Sequence, residues 1–203
     1  KEDGSFEVNL EYFNYCQGLT MTNHRFAEIF DGPPRKPEDQ ITEREINLAA
    51  SIQAVTEEIV IKMATFAREE TGKKNLCLSG GVALNCVANG KLQSKKIFEN
   101  IWIQPASGDA GGALGAALFA NYQLLKRKRV VEKNDSMKGS FLGPRFENEE
   151  ISRFLNDLKA PSHFFSDEDE LLDQVCDAIE DEKIVGWFQG RMEFGPRALG
   201  GRS

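Results

Sequence analysis

Between residues 75 and 125, two short apolar runs each break at a turn and lead into a helical segment. The first run, NLCL at 75–78, breaks at Ser79, Gly80 and Gly81, and a helix is expected over 83–94. The second, IWI at 101–103, is ended by Pro105. Gly108 and Asp109 then open a small-residue helix through about Leu125. Strand, helix, strand, helix with short connections reads as α/β, with parallel pairing and right-handed crossovers.

A long helix precedes this unit. Thr42 and Glu45 stand in a capping-box pattern. Leu48, Ile52, Val55, Ile59, Met63 and Phe66 step by three or four and form one apolar stripe, expected to face a core. Gly72 is placed to end the helix in a left-handed residue. Further upstream, residues 6–10 alternate and are expected to form a strand. Residues 11–24 carry no clear period, and residues 31–37 hold three prolines and a glycine, which reads as loop.

The pattern restarts at about residue 138. Residues 141–144 read as a turn, and 147–158 and 168–182 as amphipathic helices. Residues 183–188 are expected to be a buried strand. The charged stretch at 126–136 reads as a solvated helix end followed by a linker.

Charge excludes one class of function. The net charge is −7. Residues 1–134 carry 17 basic and 17 acidic side chains, and residues 135–203 carry 8 against 15. A general nucleic-acid binder needs a basic surface, so no nucleic-acid partner is expected. No apolar stretch is long enough to span a bilayer, and no membrane partner is expected. The polar start at Lys1 does not read as a signal peptide. Cys16, Cys77, Cys86 and Cys176 have no C-x-x-C spacing, and Cys77 and Cys86 stand among apolar neighbours. All four are expected to be reduced, in a cytoplasmic protein. The ends look cut, since the chain lacks an initiator Met and stops inside a Gly/Arg run.

Three segments could carry chemistry. In LSGGVALN at 78–85, a strand runs through Gly-Gly into a helix and exposes backbone N–H groups to a ligand. It has neither Walker A nor dinucleotide-fingerprint spacing, and a plain tight connection remains open. In GDAGGALGAA at 108–117, Asp109 is expected to be the helix N-cap and could supply one carboxylate to a metal. Gly111, Gly112 and Gly115 each cost a helix about 1 kcal/mol relative to Ala. Either a close backbone or a ligand must offset that cost. The third segment interleaves Arg191, Arg197 and Arg202 with glycines in an otherwise acidic half. Planar guanidinium forks beside open backbone amides suit an anion such as phosphate or carboxylate.

Together these segments resemble the O-carbamoyltransferase family of nodulation and antibiotic-tailoring enzymes. The matching runs are CLSGGVALNCVAN at 77–89, IQPASGDAGGALGAA at 103–117 and GWFQGRMEFGPRALGGRS at 186–203. The opening resembles the family too, through DGS at 3–5, YFNY at 12–15 and GPPRKP at 32–37. The resemblance implies that residues 1–134 are the later half of an actin/hexokinase-like, ribonuclease-H-like ATPase domain. It implies that residues 135–203 begin a C-terminal α/β domain that handles carbamoyl phosphate.

The implied reaction uses ATP and carbamoyl phosphate to form a carbamoyl adenylate, whose carbamoyl group passes to a small-molecule hydroxyl acceptor. By resemblance, Ser79, Gly80, Gly81 and Asn85 would line the nucleotide. Gly108 and Asp109 would sit near its phosphates, with Asp109 as ligand of a divalent metal of the iron, zinc or magnesium type. Arg191, Arg197 and Arg202 would help hold carbamoyl phosphate or build its domain, with Asp109, Arg191 and Arg197 as the catalytic set and Arg202 on the cofactor side. The family's remaining metal ligands are a His pair spaced four apart. Neither His24 nor His163 has such a partner, so that pair is expected before Lys1. The chain by itself is therefore expected to be inactive, and a homodimer is one assembly open to the parent. Two other readings stand beside this one: a non-catalytic nucleotide-binding module of actin-like fold, and an enzyme of tRNA threonylcarbamoylation, which the acidic balance disfavours.

Overall fold

The computed structural model describes residues 1–202; Ser203, the last residue of the Gly/Arg run, lies outside the described residues. The architecture is mixed α/β around a small parallel sheet. Strand β1 (Asn75–Leu78) pairs with β2 (Asn100–Ile103). The Lys74 carbonyl accepts from Glu99 N–H at 2.8 Å, and the Leu78 carbonyl accepts from Gln104 N–H at 3.1 Å. Both strands therefore advance in the same direction, as the strand–helix–strand order requires.

The helices follow their local signals. Helix α1 (His24–Ile29) starts where Asn23 Oδ1 accepts from Arg25 N–H and Phe26 N–H. Helix α2 (Glu43–Thr71) opens with Glu45 Oε2 accepting from Thr42 N–H at 3.0 Å. It closes at Gly72, whose φ of 62° lets its N–H reach the Arg68 carbonyl. Helix α3 (Cys86–Ser94) links the strands, and α4 (Asp109–Phe119) follows β2 and ends in a π turn over Ala120–Leu124. Helices α5 (Asn148–Asp157) and α6 (Glu168–Glu180) come last.

Several expectations are corrected. Residues 6–10 form no strand: Phe6, Val8 and Leu10 are exposed, and the chain enters a 3-10 turn at Leu10–Tyr12. Alternation without a neighbouring strand leaves the ladder groups unpaired. Within residues 11–30, tertiary contacts override the missing period. Phe26 stacks within 5.8 Å of Phe13 and 4.5 Å of Phe30, which holds α1. Residues 183–188 also form no strand. Ile184 is fully exposed, and the segment makes a single bridge, Phe188 to Arg202. The helix after β1 starts at Cys86 rather than at 83, because 81–84 winds as 3-10 ahead of the Asn85 cap.

The stripe on α2 does not face a core within this chain. Ile52, Val55, Met63 and Phe66 are exposed, whereas Glu57 and Ala64 are buried. Helix α3 packs on the face that carries Gln53 and Glu57, and Gly4 packs on the backbone at Ile59 and Met63.

The chain divides into two compact units. The first comprises Lys1–Leu76 and Asn85–Trp102, and the second Cys77–Leu84 and Ile103–Ser203. Among the described residues, no helix is long and apolar enough to cross a membrane.

Candidate functional site

In the second unit three segments meet. Ser79 and Gly80 follow β1 and are exposed. Gly80 takes φ +99°, a region open to glycine, and its N–H donates to the Ser107 carbonyl at 2.9 Å. That bond ties the Gly80–Gly81 turn to the turn that follows β2. Nothing lies within 4 Å of the Cβ position at Gly80 or Gly81, so the Gly81 amide, unlike the committed Gly80 N–H, is open to a ligand.

The turn after β2 is tightly built. Ala106 and Ser107 are buried. The Ser107 Oγ is enclosed without a hydrogen-bond partner. Asp109, expected as N-cap, is instead the first helical residue of α4, and Gly108 is the cap. Gly108 has no side chain to offer, so the first N–H groups of α4 lack a side-chain acceptor. The Asp109 carboxylate lies in the first turn, where the helix dipole favours it, and is exposed. Of the three helical glycines, Gly111 has a structural reason. A Cβ there would overlap the Ala106 carbonyl oxygen and come within 3.0 Å of its carbon. Gly112 and Gly115 face open space.

The third segment reaches the same turn through Gly195. At φ +136°, its Cβ position lies 3.0 Å from the Pro105 carbonyl oxygen and 3.4 Å from Ala106 Cα. Around it the three arginines differ. Arg191 Nη1 donates to the Gly143 carbonyl at 2.6 Å. Arg202 Nη2 donates to the Gly195 carbonyl at 2.8 Å and Arg202 pairs with Glu193. Arg197 is exposed, and its guanidinium has no hydrogen bond or ion pair among the described residues. The arrangement offers one uncommitted guanidinium, an open amide at Gly81 and an uncapped helix start. Those are the groups that bind a phosphate or carboxylate.

Asn85 belongs to the first unit, where it caps α3 by accepting from Ala88 N–H at 3.0 Å. It is held there by Gln53 and, through Gln53, by Glu57. Hydrogen bonds from Lys91 and then Gln53 keep the Glu57 carboxyl below the usual glutamate range.

Sequence reasoning missed Ser107 and Glu193. The available signal was a single polar residue between Ala106 and Gly108, and a lone acid inside the Arg/Gly run. The metal expectation finds an incomplete donor set. Among the described residues, no three His, Cys, Asp or Glu side chains gather in a group that could hold a metal ion. Asp109 alone does not make a metal centre. The four cysteines are free and exposed, which corrects the apolar surroundings expected for Cys77 and Cys86.

Residues 1–118 match the family model described as carbamoyltransferase N-terminus, and residues 176–203 match the one described as carbamoyltransferase C-terminus. An uncharacterised protein of Synechocystis is 57% identical over all of this chain, which covers 33% of that relative. Nodulation protein NolO of Bradyrhizobium diazoefficiens is 36% identical over 80% of this chain and 29% of its own length. Nodulation protein NolNO of Sinorhizobium fredii is 39% identical over 80% of this chain and 23% of its own length. The chain thus spans a third or less of the curated relatives it matches.

Proposed function

The chain belongs to the carbamoyltransferase family, and from that premise we propose that it is part of an enzyme transferring a carbamoyl group from carbamoyl phosphate, with ATP, to a small-molecule hydroxyl. In this reading residues 1–134 contribute the later half of an actin-like ATP-binding domain, and residues 135–203 begin the carbamoyl phosphate domain of a cytoplasmic protein. The observation that carries the reading is the meeting of the three glycine-containing segments at one turn. Gly80 N–H bonds the Ser107 carbonyl, and Gly195 packs on Pro105 and Ala106.

Each residue then has a role set by its chemistry. The amides at Gly81 and Gly108 would donate to phosphate oxygens of the nucleotide. Ser79 and, by resemblance, Asn85 are each assigned to nucleotide binding within their own unit, and Asp109 would offer a divalent cation a single carboxylate. Arg197 would bind the carbamoyl phosphate anion through its free fork, with Arg191 assigned to the same anion by resemblance and Arg202 bracing the loop. ATP would supply activation: carbamoyl phosphate would lose phosphate to water, the carbamate would displace pyrophosphate from ATP, and AMP would leave as the acceptor hydroxyl attacks, in a closed site that protects the carbamoyl group from hydrolysis.

The test follows pyrophosphate release from ATP, with and without carbamoyl phosphate and without acceptor. It uses a protein of the relatives' full length that carries this chain. Release that requires carbamoyl phosphate supports the reading. ATP binding without such release favours the non-catalytic nucleotide-binding module.

A further inference from the structure

In the first unit a relay of four side chains runs from α2 to α3. Lys91 Nζ pairs with Glu57 Oε2. Gln53 Nε2 donates to Glu57 Oε1 at 2.8 Å and to Asn85 Oδ1 at 3.2 Å. Asn85 Nδ2 donates back to Gln53 Oε1 at 2.8 Å. Ala88 N–H donates to Asn85 Oδ1 at 3.0 Å. Glu57 is 6% exposed, a position that suits a charge only when it is paired and hydrogen-bonded.

The polarity of the relay is set from both ends. An ionised carboxylate only accepts, so Gln53 must turn its NH2 group toward Glu57. A backbone N–H only donates, so Asn85 must turn its oxygen toward Ala88. Between these fixed ends, the Gln53 oxygen is left to accept from the Asn85 NH2. Asn85 Oδ1 then receives two donors, which fills both lone pairs. One Asn85 N–H goes to Gln53, and the second is uncommitted among the described residues.

We propose that Gln53 is a positioning residue that makes Asn85 a pure donor, so that the nucleotide atom Asn85 meets is a hydrogen-bond acceptor and not an amino group. This rests on the reading of Asn85 as a nucleotide-lining residue. Glu57 and Lys91 act one step further back by orienting Gln53. With the relay broken, Ala88 N–H still holds the Asn85 oxygen, but the lone pair that Gln53 filled is free to accept from a ligand and the side chain loses its second anchor.

The experiment measures ATP affinity and thermal unfolding in a protein of the relatives' full length carrying this chain. The variants are Gln53→Met, Asn85→Asp and the double substitution. Asn85→Asp keeps an oxygen for Ala88 N–H but removes the donor, so ATP affinity should fall by about tenfold or more, the worth of one hydrogen bond. Gln53→Met should weaken ATP binding several-fold, and should add nothing in the Asn85→Asp background, since it acts through that residue. Effects that multiply overturn the proposal. So does a Gln53→Met protein that melts earlier with ATP affinity unchanged, which marks a merely structural role. An Asn85→Asp protein with unaltered affinity overturns it while ATP binding itself stands. Failure of the wild type to bind ATP overturns the nucleotide reading as well, and is seen without any variant.

Discussion

Arg202 Nε lies 3.6 Å from Oε2 of Glu193, a carboxylate with no solvent exposure. The other oxygen of Glu193 accepts from Leu199 N–H at 2.7 Å and Gly201 N–H at 3.2 Å. Arg202 in turn donates to the Gly195 carbonyl. One acid and one base thus close the loop that carries Arg197. This leaves Arg197 as the arginine of the set with a free fork, and gives the loop a specific point of failure.

Glu193→Ala should therefore destabilise the protein by about 2–3 kcal/mol, because it strands two backbone N–H groups and a cation. Glu193→Gln retains one acceptor oxygen and should cost about 1 kcal/mol. Denaturant unfolding of both variants checks the order; equal losses would mean that the charge, rather than the acceptor geometry, holds the loop.

Arginine substitutions should separate binding from bracing. Arg197→Ala removes no hydrogen bond among the described residues and should leave the melting temperature unchanged while abolishing carbamoyl phosphate-dependent pyrophosphate release. Arg191→Ala also removes the bond to the Gly143 carbonyl, so stability and release should fall together. Calorimetry beside the release assay reads both. Full activity of Arg197→Ala would remove Arg197 from the anion site.

The glycines of α4 should split by position. Gly111→Ala meets the Ala106 backbone and should destabilise by about 1–3 kcal/mol. Gly112→Ala and Gly115→Ala meet open space and should each stabilise by about 1 kcal/mol, since alanine restores helix propensity. Melting temperatures of the three single variants decide the matter.

Glu57 links stability to pH. Its folded-state carboxyl is held below the ordinary glutamate value by Lys91 first and Gln53 second. A depressed pKa contributes stability that is fully present above the unfolded value and is lost as pH falls through the folded value. Glu57→Gln should therefore be less stable than wild type at neutral pH, with the gap closing as pH drops through the acidic range. Unfolding free energies across a pH series measure the closure; a gap that stays constant would sink the assignment.

Much of the fold was legible in the order of residues, because its signals are short-range. The Gly72 stop, the Asn75–Leu78 and Asn100–Ile103 strands and the 148–157 and 168–180 helices all follow from period and punctuation. The same reasoning failed at 6–10 and 183–188, where an alternating or apolar run had no neighbouring strand to pair with. It also chose the wrong face of α2. Hydrophobic period marks the face able to bury, but α3 meets α2 at Gln53 and Glu57, through Asn85 and Lys91.

The sequence by itself determined the βαβα order, the glycine turns that end its strands, the three anion-suited segments and membership in a family. Each of these is written in neighbouring residues, through backbone freedom and local spacing. Only the tertiary structure decided that Gly195 sits on the turn after β2, that Glu193 and Arg202 close the loop around Arg197, and that Gln53 meets Asn85 across 32 residues. Those pairings depend on which surfaces pack together, a long-range outcome that no local spacing encodes.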